Sequence, residues 1–185
     1  MVTPRNILHF WFKEAGPKKW YAKSDAFDAE IRARFEDFSV GAAAQIKLHG
    51  QHNWLDEPSS ALALIIALDQ FSRNMYRDTK GAFAWDGFAL RCADIAIQQG
   101  HDLKTGQDMR AFFYMPYMHA EDLAAQDKCV RLMDMRIDAP GSFFHAQEHR
   151  KLIERFGRFP HRNAILGRES TDDEREFLTD GGYAP

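Results

Sequence analysis

Ala61-Leu62-Ala63-Leu64-Ile65-Ile66-Ala67-Leu68 is one of the two longest apolar runs of the chain, and it decides the fold. Ser59 and Ser60 stand directly before it and predict the start of a helix. A helix that is apolar on every side belongs in the core of a protein. The run is also far shorter than the roughly twenty residues that a membrane span needs. The sequence therefore predicts a central helix that the other helices surround.

Seven further helices are predicted on either side of this run, because apolar residues recur at helical spacing between capping residues and helix breakers. We expect them at about residues 7–12, 24–49, 79–100, 107–115, 120–135 and 143–156, and after the capping box that begins at Thr171. No segment alternates apolar and polar residues as a strand would. The expected fold class is all-α, with residues 1–185 forming a single helical domain.

The overall composition excludes several classes of function. The net charge is −3, whereas a dedicated nucleic-acid or anionic-membrane binder needs a strong basic field. Cys92 and Cys129 have no metal-ligand spacing, and we expect free thiols in a reducing compartment. No signal peptide, P-loop, Gly-rich dinucleotide fingerprint or Cys-x-x-Cys motif is found, so we expect a cytoplasmic protein without a cofactor. The oligomeric state is left open.

The nonapeptide Arg155-Phe-Gly-Arg-Phe-Pro-His-Arg-Asn163 is the strongest candidate for a working surface. Arginine forks and imidazoles bind phosphate and carboxylate, and the glycine and proline favour a loop at the end of a helix. Arg158, His161, Arg162 and Asn163 are therefore candidate ligand-binding or catalytic residues.

Two other segments carry polar groups next to apolar ones. Asp69-Gln-Phe-Ser-Arg-Asn74 follows the central apolar run, so its polar groups are expected to be paired. They form either a structural network or one wall of a cleft, and the sequence favours neither. In the segment 112–122, His119 and Glu121 follow the bend expected at Pro116, where free backbone N–H groups could bind an anion.

His145-Ala-Gln-Glu-His149 matches the H-x-x-E-H pattern of inverted zinc proteases. On a helix both imidazoles would lie on one face, and His119 or Glu121 could supply a third ligand. The chain has eight histidines, so a chance match is the more economical explanation. A metal-dependent hydrolase that uses His145 and His149 remains a minor alternative, and no metal ligand is predicted.

Together these motifs resemble a bacterial family, the one catalogued as domain of unknown function 924. The resemblance rests on segments spread over nearly the whole chain, which are Ile7–Phe12, Lys19–Tyr21, Leu68–Asn74, Phe113–His119, Gln126, His149, Arg155–Asn163, Leu166–Arg168 and Ser170–Thr171. It implies helices packed as antiparallel hairpins in a tetratricopeptide-like superhelix, and it implies no particular activity. The family usually has proline where Ser72 stands and serine where Ala120 stands. The second departure argues against a serine hydrolase.

Two functional hypotheses follow. In the first, the helices form a pocket for an anionic small molecule, with acid–base chemistry by histidine and charge stabilisation by arginine. In the second, the chain is a tetratricopeptide-like module that binds a peptide or protein. For the first, we expect catalytic roles for His119, His149 and His161, and ligand contacts from Asp69, Arg73, Asn74, Tyr114, Arg158, Arg162, Asn163 and Arg168. This first hypothesis requires Arg73, His119, His149 and Arg162 to lie together around a cavity.

Overall fold

The computed structural model describes residues 1–183, and within that range the chain forms α-helices and no strand, which confirms the all-α prediction. The helices are α1 (Pro4–His9), α2 (Pro17–Trp20), α3 (Asp25–His49), α4 (Pro58–Met75), α5 (Asp86–Gln98), α6 (Gln107–Arg110), α7 (Met115–Met118), α8 (Leu123–Arg136), α9 (Pro140–Phe156), α10 (Asn163–Leu166) and α11 (Asp172–Thr179). A π-helical segment at Phe10–Ala15 follows α1, and 3-10 turns lie at Asn53–Asp56, Lys80–Phe83, Ala111–Phe113 and Pro160–Arg162.

Helix α4 lies at the centre of the molecule. Every residue from Ala61 to Ser72 is buried, as the apolar run predicts. Its most extensive neighbours are α3, α5 and α1. Burial of each Leu or Ile side chain contributes about 1.5–3 kcal/mol, so this helix is a main source of stability.

The predicted helix ends are partly right. Ser24 caps α3 by accepting a hydrogen bond from the backbone N–H of Phe27, and the helix continues through Gly41 without a break. Helix α4 begins one residue earlier than predicted, at Pro58, because proline fits the first turn of a helix. The Ser60 hydroxyl donates to the carbonyls of Trp54 and Glu57 instead of capping the helix.

Two predicted helices are broken into shorter pieces. Thr79 caps only the 3-10 turn at Lys80–Phe83, and α5 starts later, at Asp86. The helix expected at 107–115 consists of α6 and a 3-10 turn, and Pro116 lies in the first turn of α7 rather than at a helix end. Since proline lacks an N–H group, it is well accommodated in a first turn.

A second, smaller apolar cluster anchors the nonapeptide. Gly157 ends α9 with a φ of +70°, a conformation that favours glycine. The chain then turns so that Phe159 packs against Leu152 and Ile153 of α9 with no exposed surface. The backbone N–H of Phe159 donates to the Glu121 carboxylate at 2.8 Å, which holds the nonapeptide against the connection between α7 and α8.

Candidate functional site

The candidate site begins with a buried carboxylate–histidine pair. Asp69, near the middle of α4, has no exposed surface, and its Oδ1 lies 2.8 Å from Nδ1 of His119, the residue that follows α7. The Gln70 amide donates to Asp69 Oδ2 at 2.6 Å. Because an ionised carboxylate only accepts hydrogen bonds, Nδ1 of His119 must carry the proton, and in the neutral ring Nε2 carries the lone pair.

Two arginines share the next carboxylate. Arg73 donates to both oxygens of Asp86, at 3.0 and 3.1 Å, and also donates to the backbone carbonyl of Asp69 at 2.5 Å. Arg162, from the nonapeptide, reaches Oδ2 of the same Asp86 only at 3.4 Å and donates to the carbonyl of His119 at 3.1 Å. Asp86 therefore neutralises Arg73 well and Arg162 poorly.

His149 on α9 lies beside His119, with 6.3 Å between the ring centroids. Its Nδ1 is 2.7 Å from the carbonyl oxygen of His145, one helical turn earlier. A carbonyl only accepts, so Nδ1 of His149 also carries the proton and Nε2 again carries the lone pair. Within residues 1–183, Nε2 of neither ring has a hydrogen-bond partner.

The Phe159 ring contacts side chains of both the nonapeptide and α9. The Arg162 guanidinium lies 4.4 Å from the centroid of the Phe159 ring and 4.6 Å from that of the Phe83 ring, so it packs against two aromatic rings. The rings of His149 and His161 lie 5.5 and 5.6 Å from the same Phe159 ring. Arg162 Nε and His161 Nδ1 are buried and have no hydrogen-bond partner among the described residues. We call the set the His/Arg cluster; it comprises Asp69, Arg73, Asp86, His119, His149, His161 and Arg162.

Burial governs the charge states in the His/Arg cluster. Burial lowers the pKa of His119, and the Arg73 charge lowers it further against the opposing effect of Asp69. Burial also lowers the pKa of His149 to about 3 and, with the nearby Arg162 charge, that of His161 to about 4. The three imidazoles are therefore neutral at pH 7.

Burial has different outcomes for the charges of Asp69 and Arg162. Burial opposes ionisation of Asp69, but the neighbouring His119 and Arg73 and the hydrogen bonds from His119 and Gln70 hold its pKa well below the usual range. Burial and the repulsion from Arg73 lower the pKa of Arg162 to about 10, which leaves it a cation that is poorly compensated.

The structure brings six of the predicted residues into one cluster around Asp69. They are Asp69, Arg73, His119, His149, His161 and Arg162. The side chains of His119 and Arg73 are 16% and 21% exposed, so one edge of the cluster is open to solvent.

Arg158, Asn163 and Arg168 lie in a neighbouring network in which both arginines are already paired. Arg158 donates to both oxygens of Glu174, at 2.6 and 2.8 Å. Arg168 donates to both oxygens of Glu121, at 2.6 and 2.9 Å. Asn163 connects the two pairs, because its amide donates to Glu174 and its carbonyl oxygen accepts from Arg168. This arrangement fixes the nonapeptide to α11 and to the α7–α8 connection.

Asn74 and Tyr114 take part in other networks. The Asn74 amide donates to Asp28 at 2.7 Å, beside the ion pair between Asp28 and Arg77. The Tyr114 hydroxyl donates to the fully buried Asp102 at 2.6 Å. Asn74 ties α4 to α3, and Tyr114 ties the start of α7 to the turn that follows α5; the structure does not bring either residue to the His/Arg cluster.

The H-x-x-E-H match has no completed metal site in the described part of the chain, where no group of three or more His, Cys, Asp or Glu residues could hold a metal ion. Nδ1 of His145 lies 2.8 Å from the Tyr183 hydroxyl, and Glu148 pairs with Lys151. Cys92 and Cys129 are both free and buried, as predicted.

Two clefts lie elsewhere on the molecule. One of about 230 Å³ is lined by residues around the start of α3, including Lys19 and Glu30. The other, of about 330 Å³, lies between the loop before α6 and the end of α8 and is lined by Leu103, Arg110 and Met135 among others. No residue of the His/Arg cluster lines either cleft, so neither of them is the cavity that the first hypothesis requires around Arg73, His119, His149 and Arg162. Between residues 1 and 183 no helix combines the length and apolarity that a membrane span requires.

The sequence did not predict that Asp86 and Phe83 lie beside Arg162. It also did not predict that the Phe159 ring packs against Arg162 and the two histidines. Asp86 stands in the first turn of α5, where a carboxylate is favoured by the helix dipole. That local role gave no reason to place it beside two arginines from distant segments. Phe83 is one of 15 phenylalanines and lies outside the motifs singled out above, and Phe159, although part of the nonapeptide, could not be distinguished there from Phe156.

The fold and the site define an all-α protein with a buried Asp–His pair bordered by neutral histidines and an under-compensated arginine. Residues 7–182 match the family model described as "Bacterial protein of unknown function (DUF924)", and the chain belongs to that family. The resemblance noted from the motifs is thereby confirmed.

The chain is also similar to a solved structure, that of the protein of unknown function ATU0120 from Agrobacterium tumefaciens. The two are 47% identical, the match covers 96% of this chain and 97% of the other, and the TM-score is 0.87. No curated protein matches the chain.

Proposed function

We propose that the chain binds a small anion at the solvent-facing edge of the His/Arg cluster and that His119 can accept a proton from the bound molecule. The observation that carries the proposal is Arg162. Its side chain is only 7% exposed, its Nε has no described partner, and its nearest carboxylate contact is 3.4 Å long.

An anion is the ligand that would compensate Arg162. Arg73 donates to both oxygens of Asp86 at 3.0 and 3.1 Å, whereas Arg162 reaches that carboxylate only at 3.4 Å. A carboxylate or phosphate oxygen next to Arg162 would form the charge-assisted hydrogen bonds that arginine favours. It would also offset the repulsion between Arg162 and Arg73.

His119 has the features of a general base. Asp69 fixes its tautomer and ring orientation through Nδ1, as the carboxylate of a catalytic triad does for its histidine. The ring is neutral at pH 7, so Nε2 can accept a proton. Proton transfer would leave an imidazolium beside the Asp69 carboxylate, which stabilises the new charge.

Isothermal titration calorimetry with inorganic phosphate and glycolate tests the binding proposal. Wild-type protein should bind at least one of them, and Arg162→Gln should weaken that binding by tenfold or more. Arg155→Gln is the matched control, because Arg155 belongs to the same nonapeptide but is exposed and pairs with Asp173 at 2.9 Å. Absence of binding to both anions, or equal binding by Arg162→Gln and wild type, would contradict the proposal.

A thermal-shift measurement gives an independent check. A ligand that binds only the folded state at about one hundred times its Kd raises the free energy of unfolding by about 2.7 kcal/mol. We expect this rise for wild type and for Arg155→Gln, and at most about half of it for Arg162→Gln, because its Kd should be at least tenfold higher.

The second candidate function is a tetratricopeptide-like module that binds a peptide. The cleft of about 330 Å³ supports it, because two exposed apolar side chains, Leu103 and Met135, lie beside Arg110 and Arg136 there. Selection from a displayed peptide library tests it. Peptides selected by the wild type should lose binding to Met135→Asp and keep binding to Arg162→Gln; peptides that bind both variants equally would contradict this alternative.

A further inference from the structure

The hydrogen-bonding pattern of the His/Arg cluster restricts the chemistry of the anion. Arg162 offers only donors, because a guanidinium has no acceptor. His119 and His149 offer only acceptors at their free positions. Nδ1 of each ring is committed as a donor, to the Asp69 carboxylate at 2.8 Å and to the His145 carbonyl at 2.7 Å.

The two kinds of group are close enough to contact one small molecule. The His119 and His149 rings lie 6.3 Å apart, and the Arg162 guanidinium donates to the His119 carbonyl. His149 and Arg162 also contact the same Phe159 ring. A ligand that reaches Arg162 with its charged group therefore has the two imidazoles beside it.

An anion without any donor would fit this arrangement poorly. Its lone pairs would face the lone pairs of the imidazole Nε2 atoms, and buried acceptors left without a donor are costly. An O–H or N–H group next to the charged group would instead donate to Nε2. From this pattern we infer that the cluster selects anions that carry a hydrogen-bond donor, such as a hydroxy acid or a protonated phosphate, over anions that carry none. This inference rests on the proposed function, because it concerns the same site.

Two pairs of anions separate the effect of the hydrogen-bond donor from the effect of the charge. Monohydrogen phosphate carries an O–H group and sulfate does not, although both are tetrahedral dianions. Glycolate carries a hydroxyl and acetate does not. Titration calorimetry at pH 7.5 should give a Kd for phosphate about tenfold lower than for sulfate, or a Kd for glycolate about tenfold lower than for acetate, which corresponds to about 1.4 kcal/mol. The pair that shows the larger ratio identifies phosphate or carboxylate as the preferred charged group.

Histidine variants assign the selectivity to Nε2. In His119→Asn and His149→Asn the amide N–H can replace the Nδ1 donor and keep the contacts to Asp69 and to the His145 carbonyl. The amide oxygen is then the side chain's acceptor, and the shorter side chain does not carry it to the position of Nε2. Each variant should reduce the ratio within the preferred pair towards one. His49→Asn, at an exposed position on α3, is the matched control and should leave the ratio unchanged. Nitrogen NMR provides a direct readout, because the Nε2 signals of His119 and His149 should shift with phosphate or glycolate and not with sulfate or acetate.

The outcomes distinguish this inference from the proposed function. If all four anions fail to bind, both are wrong. If anions bind through Arg162 but sulfate equals phosphate and acetate equals glycolate, only the selectivity is wrong. If selectivity exists but persists in both histidine variants, the imidazoles do not cause it and the inference is overturned.

Discussion

Replacement of Asp69 by alanine tests whether the buried carboxylate organises the His/Arg cluster. Two donors depend on it directly, namely Nδ1 of His119 at 2.8 Å and the Gln70 amide at 2.6 Å. Arg73 depends on it less, because it keeps both of its hydrogen bonds to Asp86. In Asp69→Ala, therefore, two buried donors lose their acceptor while the arginine stays paired.

The expected loss of stability in Asp69→Ala follows from these two donors that lose their acceptor. A buried donor left without a partner costs about 1–3 kcal/mol, so Asp69→Ala should lower the free energy of unfolding by about 2–6 kcal/mol. The total for a domain of this kind is about 5–15 kcal/mol, so a folded variant is still expected. Asp69→Asn keeps one acceptor oxygen for His119, so its free energy of unfolding should fall by about half as much. This variant serves as the test if Asp69→Ala does not fold.

Urea denaturation followed by circular dichroism at pH 7 measures the loss. Asp127→Ala is the control, because Asp127 pairs with Arg150 at the surface, its side chain is 46% exposed, and such pairs contribute about 0–1 kcal/mol. A loss below about 1 kcal/mol for Asp69→Ala, or one equal to that of Asp127→Ala, would refute the reasoning. It would mean that the carboxylate does not organise the cluster.

Three further predictions use the same denaturation assay. Leu64→Ala in the core of α4 should cost about 2–5 kcal/mol, and an equal cost for the exposed Leu48→Ala would contradict the central role of α4. Thr171→Ala removes the N-cap of α11 and should cost about 1 kcal/mol; no loss would mean that the capping box is not formed in solution. Because burial lowers the pKa of His149 to about 3, its neutral form stabilises the fold above pH 6.5, and this contribution falls by about 1.4 kcal/mol per pH unit as the pH drops from 6.5 towards 3. His149→Asn should therefore flatten the decline between pH 6.5 and 4.5, whereas His49→Asn should leave it unchanged; equal slopes would show that His149 is not buried in its neutral form.

The parts of the fold that were predictable are those that depend on local sequence. The apolar run of α4 is buried in full, the Ser24 cap of α3 is present, and both hydrogen bonds of the Thr171 capping box are formed. Each of these features is specified by residues within about two helical turns of one another. A single sequence therefore contains the information that determines them.

The breaks in the predicted helices depend on contacts between distant segments. Thr79 is a good capping residue, but the chain forms only a 3-10 turn before α5 begins at Asp86. That turn brings Phe83 to Arg162, and the delayed start of α5 brings Asp86 to Arg73. Helical periodicity describes neighbours along one helix, so it could not predict where a partner 76 residues away would lie.

The nonapeptide illustrates why composition could indicate a candidate site but not its chemistry. Its three arginines suggested one anion-binding loop, yet Arg155 pairs with Asp173 and Arg158 with Glu174, both from the acidic helix α11. Arg162, the third arginine, lies beside His119 instead, and its contact with Asp86 is long, at 3.4 Å. A basic motif therefore has to be counted after its partners are assigned. Arg158 donates to both oxygens of Glu174, and Arg155 is held in a single exposed ion pair with Asp173. By that count we propose that the motif supplies one anchoring cation and not three, and that the selectivity of the proposed anion site comes from the neutral imidazoles around it.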